Sequence, residues 1–282
     1  MLGHVALLRR YPVKSMLGEN ITQAHVTAAG LPRDRRLALV HEATGKVASA
    51  KYPRLWRDML LLRATAAGDD DEDGPVLITF PDGRELLSTD DRVHRELSAY
   101  LGQSVTLTAT PPDGAELDRA VPDAVLRDGT AADVPVRIVR LGEASPAGTF
   151  YDFAPLHLLT TATLTAIDGH RDDGGHTDPH RYRPNLVIST PAPGFAENDW
   201  ARRDLAVGPD LVIRIIARTP RCAVPTLRHG AGSDRDTDAL RIPARHNRVA
   251  PLDHMPPEPC AGVYAQVLRP GTIRPGDPVA WS

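Results

Sequence analysis

Residues 211–226, LVIRIIARTPRCAVPT, place a strand and a thiol in one short run. Residues 211–217 alternate as a half-buried β-strand does, and Cys222 follows within a few residues of its end. Pro220 and Pro225 each bias the preceding residue toward extended geometry, so the thiol lies on a stiff segment just past a strand. Arg221 beside it favours the thiolate, the form that attacks electrophiles and binds metals. For an isolated cysteine the plainer reading is a buried, inert residue, and that alternative stands at this point.

Outward from this run, short β-like stretches dominate: residues 4–8, 21–28, 37–40, 76–80, 105–108, 136–141, 186–189, 263–268 and 279–281, many separated by Gly, Pro or Asp turns. The chain therefore reads as mainly β. Phe80-Pro81-Asp82-Gly83-Arg84 predicts a hairpin, with Asp-Gly supplying the positive φ. Two helices are expected, one capped at Thr89-Asp90 and stopping at Gly102, the other running from Thr160-Thr161 to Gly169. Their apolar stripes suit packing against a sheet or barrel end better than cofactor binding. Residues 111–135, rich in Pro, Asp, Ala and Gly, divide the chain into an N-terminal unit, 1–115, and a C-terminal unit, 116–282.

With 282 residues, 41% of them hydrophobic, the chain can bury a substantial core. Cys222 and Cys260 are too few for a disulfide framework, and residues 1–15 lack the apolar region of a secretory signal, which points to a reducing cytoplasm. No window is apolar enough to cross a bilayer. A net charge of −3 and a pI near 6.4 argue against nucleic-acid partners, so any anion site has to be local. Lysine stands only at positions 14, 46 and 51. A compact ammonium at Lys14 suits a point contact to phosphate or oxide.

Other chemistry is weakly signalled. The acidic run 69–73 reads as a solvated hairpin tip, because it lacks the alternating ligands of a calcium loop. His176 and His180 have no cysteine pair to make a zinc finger. No phosphate-binding glycine loop follows a strand. Arg181-Tyr182-Arg183-Pro184-Asn185, leading into an apolar strand, is either an anion-binding rim or a solvated strand entrance.

Five motifs in order carry a resemblance. They are Tyr11-Pro12-Val13-Lys14-Ser15 with Gly30-Leu31 and Arg33-Asp34-Arg35; Ala154-Pro155-Leu156-His157-Leu158-Leu159; Arg183-Pro184-Asn185; Arg221-Cys222 with Thr226; and Gly262-Val263-Tyr264 with Arg269-Pro270-Gly271-Thr272-Ile273. Together they resemble the MOSC proteins, in the form that also carries the MOSC N-terminal β-barrel domain. The resemblance implies two β-barrel-like units with a few packing helices. It implies a molybdenum–molybdopterin cofactor with Cys222 as the protein thiolate on molybdenum. Lys14, Ser15, Arg35, Arg183 and Asn185 would hold the pterin and its phosphate, and Arg221 and Tyr264 would line the same pocket. The implied activity is a two-electron removal of oxygen from N-hydroxylated or N-oxide substrates, with His157, Tyr264 or a metal-bound water as proton source. Two cysteines leave no room for an iron–sulfur cluster held by four thiolates, so electrons would come from a separate ferredoxin, flavin reductase or cytochrome. The alternatives are a Cys222 persulfide that carries sulfur, or a module that only binds and delivers the cofactor. The chain departs from the family at Ala223-Val224-Pro225 and at Phe153-Ala154, where some members have two small hydroxyl residues.

Overall fold

In the computed structural model, which describes residues 1–68, 74–230 and 232–282, the alternating run extends to the strand Leu211–Pro220, with every odd-numbered position buried. It pairs antiparallel with Asp204–Val207 on one side and with Glu258–Arg269 on the other. Glu258–Arg269 pairs with Leu156–Thr160, which runs parallel to Leu186–Ser189. That strand pairs with Gly3–Arg10, whose other neighbour, Pro278–Trp281, returns to Asp204–Val207. Seven strands thus close a barrel around Leu8, Leu158, Ile188, Ile213 and Val263. Closure leaves no unpaired edge in the ring.

The one parallel pair in the ring needs a crossover, and the helix Thr161–Asp168 supplies it. Its start is as expected: Thr160 Oγ1 accepts from Thr163 N at 3.0 Å. The first predicted helix begins later than expected, at Val93 rather than at Thr89-Asp90, and ends at Gly102 in the left-handed region. Asp90 spends its side chain on Arg92, taking both its N–H and its guanidinium, so no side chain caps the helix.

The strand Gly3–Arg10 belongs to the barrel although it opens the chain. Farther on, a second core forms around Leu39, Trp56, Met59, Ile78 and Leu97. It is covered by the pair Ala38–His41 and Val105–Thr108 and by a three-stranded sheet, Arg63–Ala66, Val76–Thr79 and Glu85–Leu87. The predicted hairpin joins the last two strands, with Gly83 at φ 88°. The acidic run 69–73 lies outside the described residues. Ala24–Val26 pairs with Gly271–Ile273 and stitches this part of the chain to the barrel.

Residues 111–135 are not bare linker. They hold the strand Glu116–Ala120 and the helix Pro122–Asp128, and the strand pairs with Val136–Arg140. Ala120, Ala124, Val125 and Val134 pack against Ala223, so this hairpin buttresses the cysteine segment. The helix Asp238–His246 also escaped the reading, because Pro243 lies inside it. Among the described residues no helix is long and apolar enough to cross a membrane.

Candidate functional site

The strand Leu211–Pro220 delivers Arg221 and Cys222 to the wall of a cleft. Lys14, Ser15, Arg35, Arg183, Asn185, Arg221, Cys222 and Tyr264, the eight positions singled out in the sequence, all line it. They come from separated segments of the chain.

Three of these residues hold the left-handed backbone that non-glycine side chains avoid: Ser15 at φ 62°, Arg35 at φ 49° and Arg183 at φ 57°. Each costs on the order of 1–2 kcal/mol, so the surrounding contacts over-determine the turns. Lys14 N donates to Leu37 O at 2.8 Å and Arg35 N to Tyr11 O at 2.7 Å. Tyr11 N donates to the buried Asp34 at 2.7 Å. Of Arg33, Arg35 and Arg36, Arg35 lines the cleft. Arg33 turns to the carbonyls of Ala67 and Pro75, and Arg36 to that of Ala109.

Asn185 ties the two halves of the site together. Its side chain donates to Arg9 O and Asp34, and accepts from His157 N at 3.1 Å and Arg35 Nη1 at 3.3 Å. It is 1% exposed. With its amide fully engaged, Asn185 acts by fixing Arg35. Arg35 keeps its charge: burial opposes it, but the paired Asp34 carboxylate raises its pKa.

Arg183 is less satisfied. Its guanidinium stands 4.2 Å from the Tyr11 ring centre and donates to Met16 O at 2.7 Å, but Nη2 is buried with no partner. Burial, together with nearby Arg35 and Arg9, pushes its pKa down to about 10. Arg221 also keeps a buried, unpartnered Nε. Its other nitrogens go to Tyr182 O at 2.9 Å, Ala261 O at 3.4 Å and His157 Nε2 at 3.4 Å. Arg221 therefore spends its hydrogen bonds on these groups, His157 among them, rather than on Cys222 Sγ. Arg181, read as part of the same rim, instead grips the carbonyls of Pro225 and Leu227 and holds the loop behind Cys222.

Cys222 is 5% exposed and packs among Ala50, Leu60, Val224 and Leu227 while bordering the cleft. Thr226 donates to Ala223 O at 2.8 Å and closes the turn after it. Cys260 is fully buried, does not line the cleft, and has its thiol pushed up to about 12 by burial. His157 Nδ1 faces Arg183 O at 3.3 Å, so Nδ1 carries the hydrogen and Nε2 accepts from Arg221. Burial and Arg221 hold its pKa well below the usual histidine value, which makes it a neutral positioning group. Tyr264 leans on His157 and Phe153 at 5.7 and 5.4 Å, and burial raises its phenol pKa.

The sequence did not point to Ser49 or Asp152. Lys14 Nζ donates to Phe150 O at 2.8 Å and to Asp152 at 2.5 Å, and Lys51 reaches the same carboxylate at 3.0 Å. Lys51 carried a usable signal, since two of the three lysines meet at this one cleft. Ser15 Oγ accepts from Ala50 N at 3.1 Å, which places Ser49 beside it. His176 and His180 pair with different carboxylates, Asp168 and Asp178.

Among the described residues, Lys14, Arg35, Lys51, Arg183 and Arg221 face a single lining carboxylate, Asp152. In a chain of net charge −3 this is a local positive site. Two buried guanidinium nitrogens of these residues, Arg183 Nη2 and Arg221 Nε, have no partner, at a cost of about 1–3 kcal/mol each. Cationic donors beside a thiol suit a ligand that joins a soft metal to an anionic group.

Residues 146–280 match the family model of the MOSC domain, and residues 2–121 match that of the MOSC N-terminal beta barrel domain. Human mitochondrial amidoxime-reducing component 1 is 25% identical over 296 residues, covering 99% of this chain and 82% of the relative. Its mouse counterpart is 26% identical over 300 residues, with the same two coverages. The solved structure of the YUAD protein from Bacillus subtilis aligns with a TM-score of 0.44 at 10% identity, covering 99% of this chain and 94% of that one. The two models lie in order along the chain and meet at the cleft that the sequence motifs build: this protein belongs to the MOSC proteins, in the form with a MOSC N-terminal β-barrel domain, and is similar along its length to amidoxime-reducing components.

Proposed function

We propose that this chain binds a molybdenum–molybdopterin cofactor in the cleft, with Cys222 as the metal's protein ligand, and reduces N-hydroxylated or N-oxide substrates by removing oxygen. One observation carries the reading. Cys222, the two incompletely satisfied arginines Arg183 and Arg221, and Lys14 converge on one cleft from segments far apart in the chain. The association of MOSC domains with the molybdenum cofactor, and the names of the relatives, support it.

When bound, the cofactor supplies the two-electron redox chemistry. The chain supplies binding, orientation and shape. Lys14, Ser15, Arg35 and Arg183 hold the anionic end, Asn185 fixes Arg35, and Arg221 keeps His157 in one tautomer. Tyr264 lines the cleft, and burial keeps its phenol proton in place, so it can donate a hydrogen bond to a substrate oxygen, as a bound water also can. Electrons enter from a separate protein, a ferredoxin, flavin reductase or cytochrome, because both cysteines are free and one is sealed in the core. Free thiols suit a reducing cytoplasm.

The test is single turnover. Cofactor-loaded protein, reduced chemically and freed of reductant, is mixed with an aryl amidoxime. Re-oxidation with one equivalent of amidine formed is expected. Molybdenum-replete protein that no N-hydroxylated compound re-oxidises would shift the assignment to cofactor delivery.

A further inference from the structure

A second groove opens beside the cleft and shares Lys51, Asp152, Pro220 and Tyr264 with it. One wall is the strand Val136–Arg140, largely exposed, and another is the loop holding Leu252 and Met255. Phe153 lies in this groove with its ring 5.4 Å from that of Tyr264, so an aromatic step leads from the groove into the cleft.

The charges are uneven. Arg119, Arg137, Arg140 and Arg218 face Glu143 and Glu258, apart from the Lys51–Asp152 pair shared with the cleft. Glu258 is taken by Arg119 at 3.1 Å and approached by Arg137 at 3.5 Å. Arg119 Nε remains buried and unpartnered. Arg140 has Glu116 only at 3.9 Å. Arg218 meets main-chain oxygens of Asn198 and Ala250, and no carboxylate pairs with it among the described residues. Apolar side chains beside an excess of guanidinium groups suit a molecule with an aromatic or aliphatic body that also carries a carboxylate.

We infer that this groove is the substrate arm of the site and that it selects N-hydroxylated compounds bearing a remote carboxylate, their body lying on Phe153 and Tyr264. The inference rests on the proposed oxygen-removing activity. It also gives a role to Phe153, one of the positions where the chain departs from the family.

The test compares an aryl amidoxime with its para-carboxylate analogue in cofactor-loaded protein, and measures calorimetrically the binding of the two corresponding amidines. The carboxylated substrate is expected to have a kcat/KM about five- to tenfold higher, two exposed arginines each giving a few-fold. In the double variant Arg137→Ala/Arg140→Ala the ratio should fall toward one, and the amidine carboxylate should lose its binding advantage by the same factor. Phe153→Ser should weaken both substrates together, mainly through KM. Equal kcat/KM values with turnover intact, or a preference that survives the double variant, overturn the groove assignment and leave the activity standing. Absence of turnover on both amidoximes in molybdenum-replete protein overturns the activity, and with it the substrate class.

Discussion

Lys14 donates to Asp152 at 2.5 Å across 138 residues of sequence, and Lys51 shares the same carboxylate at 3.0 Å. One anion therefore holds two ammonium groups at the cleft wall. Without it, the two cations would face each other in a largely buried setting. Asp152→Asn should destabilise the cofactor-free protein by about 1–3 kcal/mol, below the usual cost of breaking a sealed pair because the carboxylate is 30% exposed. Millimolar sulfate should recover more stability in the variant than in the parent. Urea melts with and without sulfate measure both; an equal sulfate response in the two proteins contradicts the shared-carboxylate account.

Anion binding should depend on pH through Lys14. Burial pushes this ammonium down to about 8 from the ordinary 10.5, with Asp152 opposing the shift. Below pH 8 the charge is present, and above it the charge is lost. Sulfate, dianionic throughout, should bind about tenfold more weakly at pH 9.5 than at pH 7. The stability term has the opposite sign. The unfolded chain holds the proton between pH 8 and 10.5 and the folded one does not, so this group's contribution to the unfolding free energy rises across that window. Lys14→Met should bind sulfate weakly and lose the Lys14-linked decline.

Arg183 is kept at a cost to the fold. It holds a left-handed backbone at φ 57°, and its guanidinium is buried with one nitrogen unpartnered. Arg183→Met removes the buried charge, so the melting temperature of cofactor-free protein should stay level or rise. Cofactor content on purification should fall at least about tenfold, the loss of one charge-assisted anchor. A large drop in melting temperature would instead mark Arg183 as structural.

His157 is positioned by a glycine. Gly262 has φ 85°, and a Cβ there would collide with His157 Nε2 and Leu158 O. Gly262 N also donates to the buried Glu197 at 2.9 Å. Gly262→Ala should cost about 2–4 kcal/mol, from overpacking and the positive φ together. The histidine ring resonances should move with it, and a chemical denaturation curve with histidine NMR reads both.

The barrel was legible because its strands carry strong local signals. Leu211–Pro220 alternates along its whole length, and Thr160 caps its helix as the sequence implies. Strands such as Leu156–Thr160 and Asp204–Val207 were missed. Leu156–Thr160 is buried at every position and shows no period of two, as a strand covered on both faces does. The cleft was legible through ordered motifs rather than through geometry. Nothing local announces that Asp152 receives Lys14, or that Arg221 turns to His157, because those contacts exist only once the barrel closes. Arg181 and Arg183 look alike in sequence, yet one grips a loop and the other faces the cleft. The backbone at Arg183 turns left-handed just before the strand, and single-residue propensity does not foresee that for arginine.

The central claim is that Cys222 ligates molybdenum in this cleft. Elemental analysis of protein produced in a host that makes the cofactor tests it most directly, comparing the parent with Cys222→Ala. Near-stoichiometric molybdenum and pterin are expected in the parent, and loss of molybdenum in the variant with its fold intact by circular dichroism. Parent protein that never acquires molybdenum, yet carries a cyanide-labile sulfur on Cys222, would contradict it and assign the thiol to sulfur transfer.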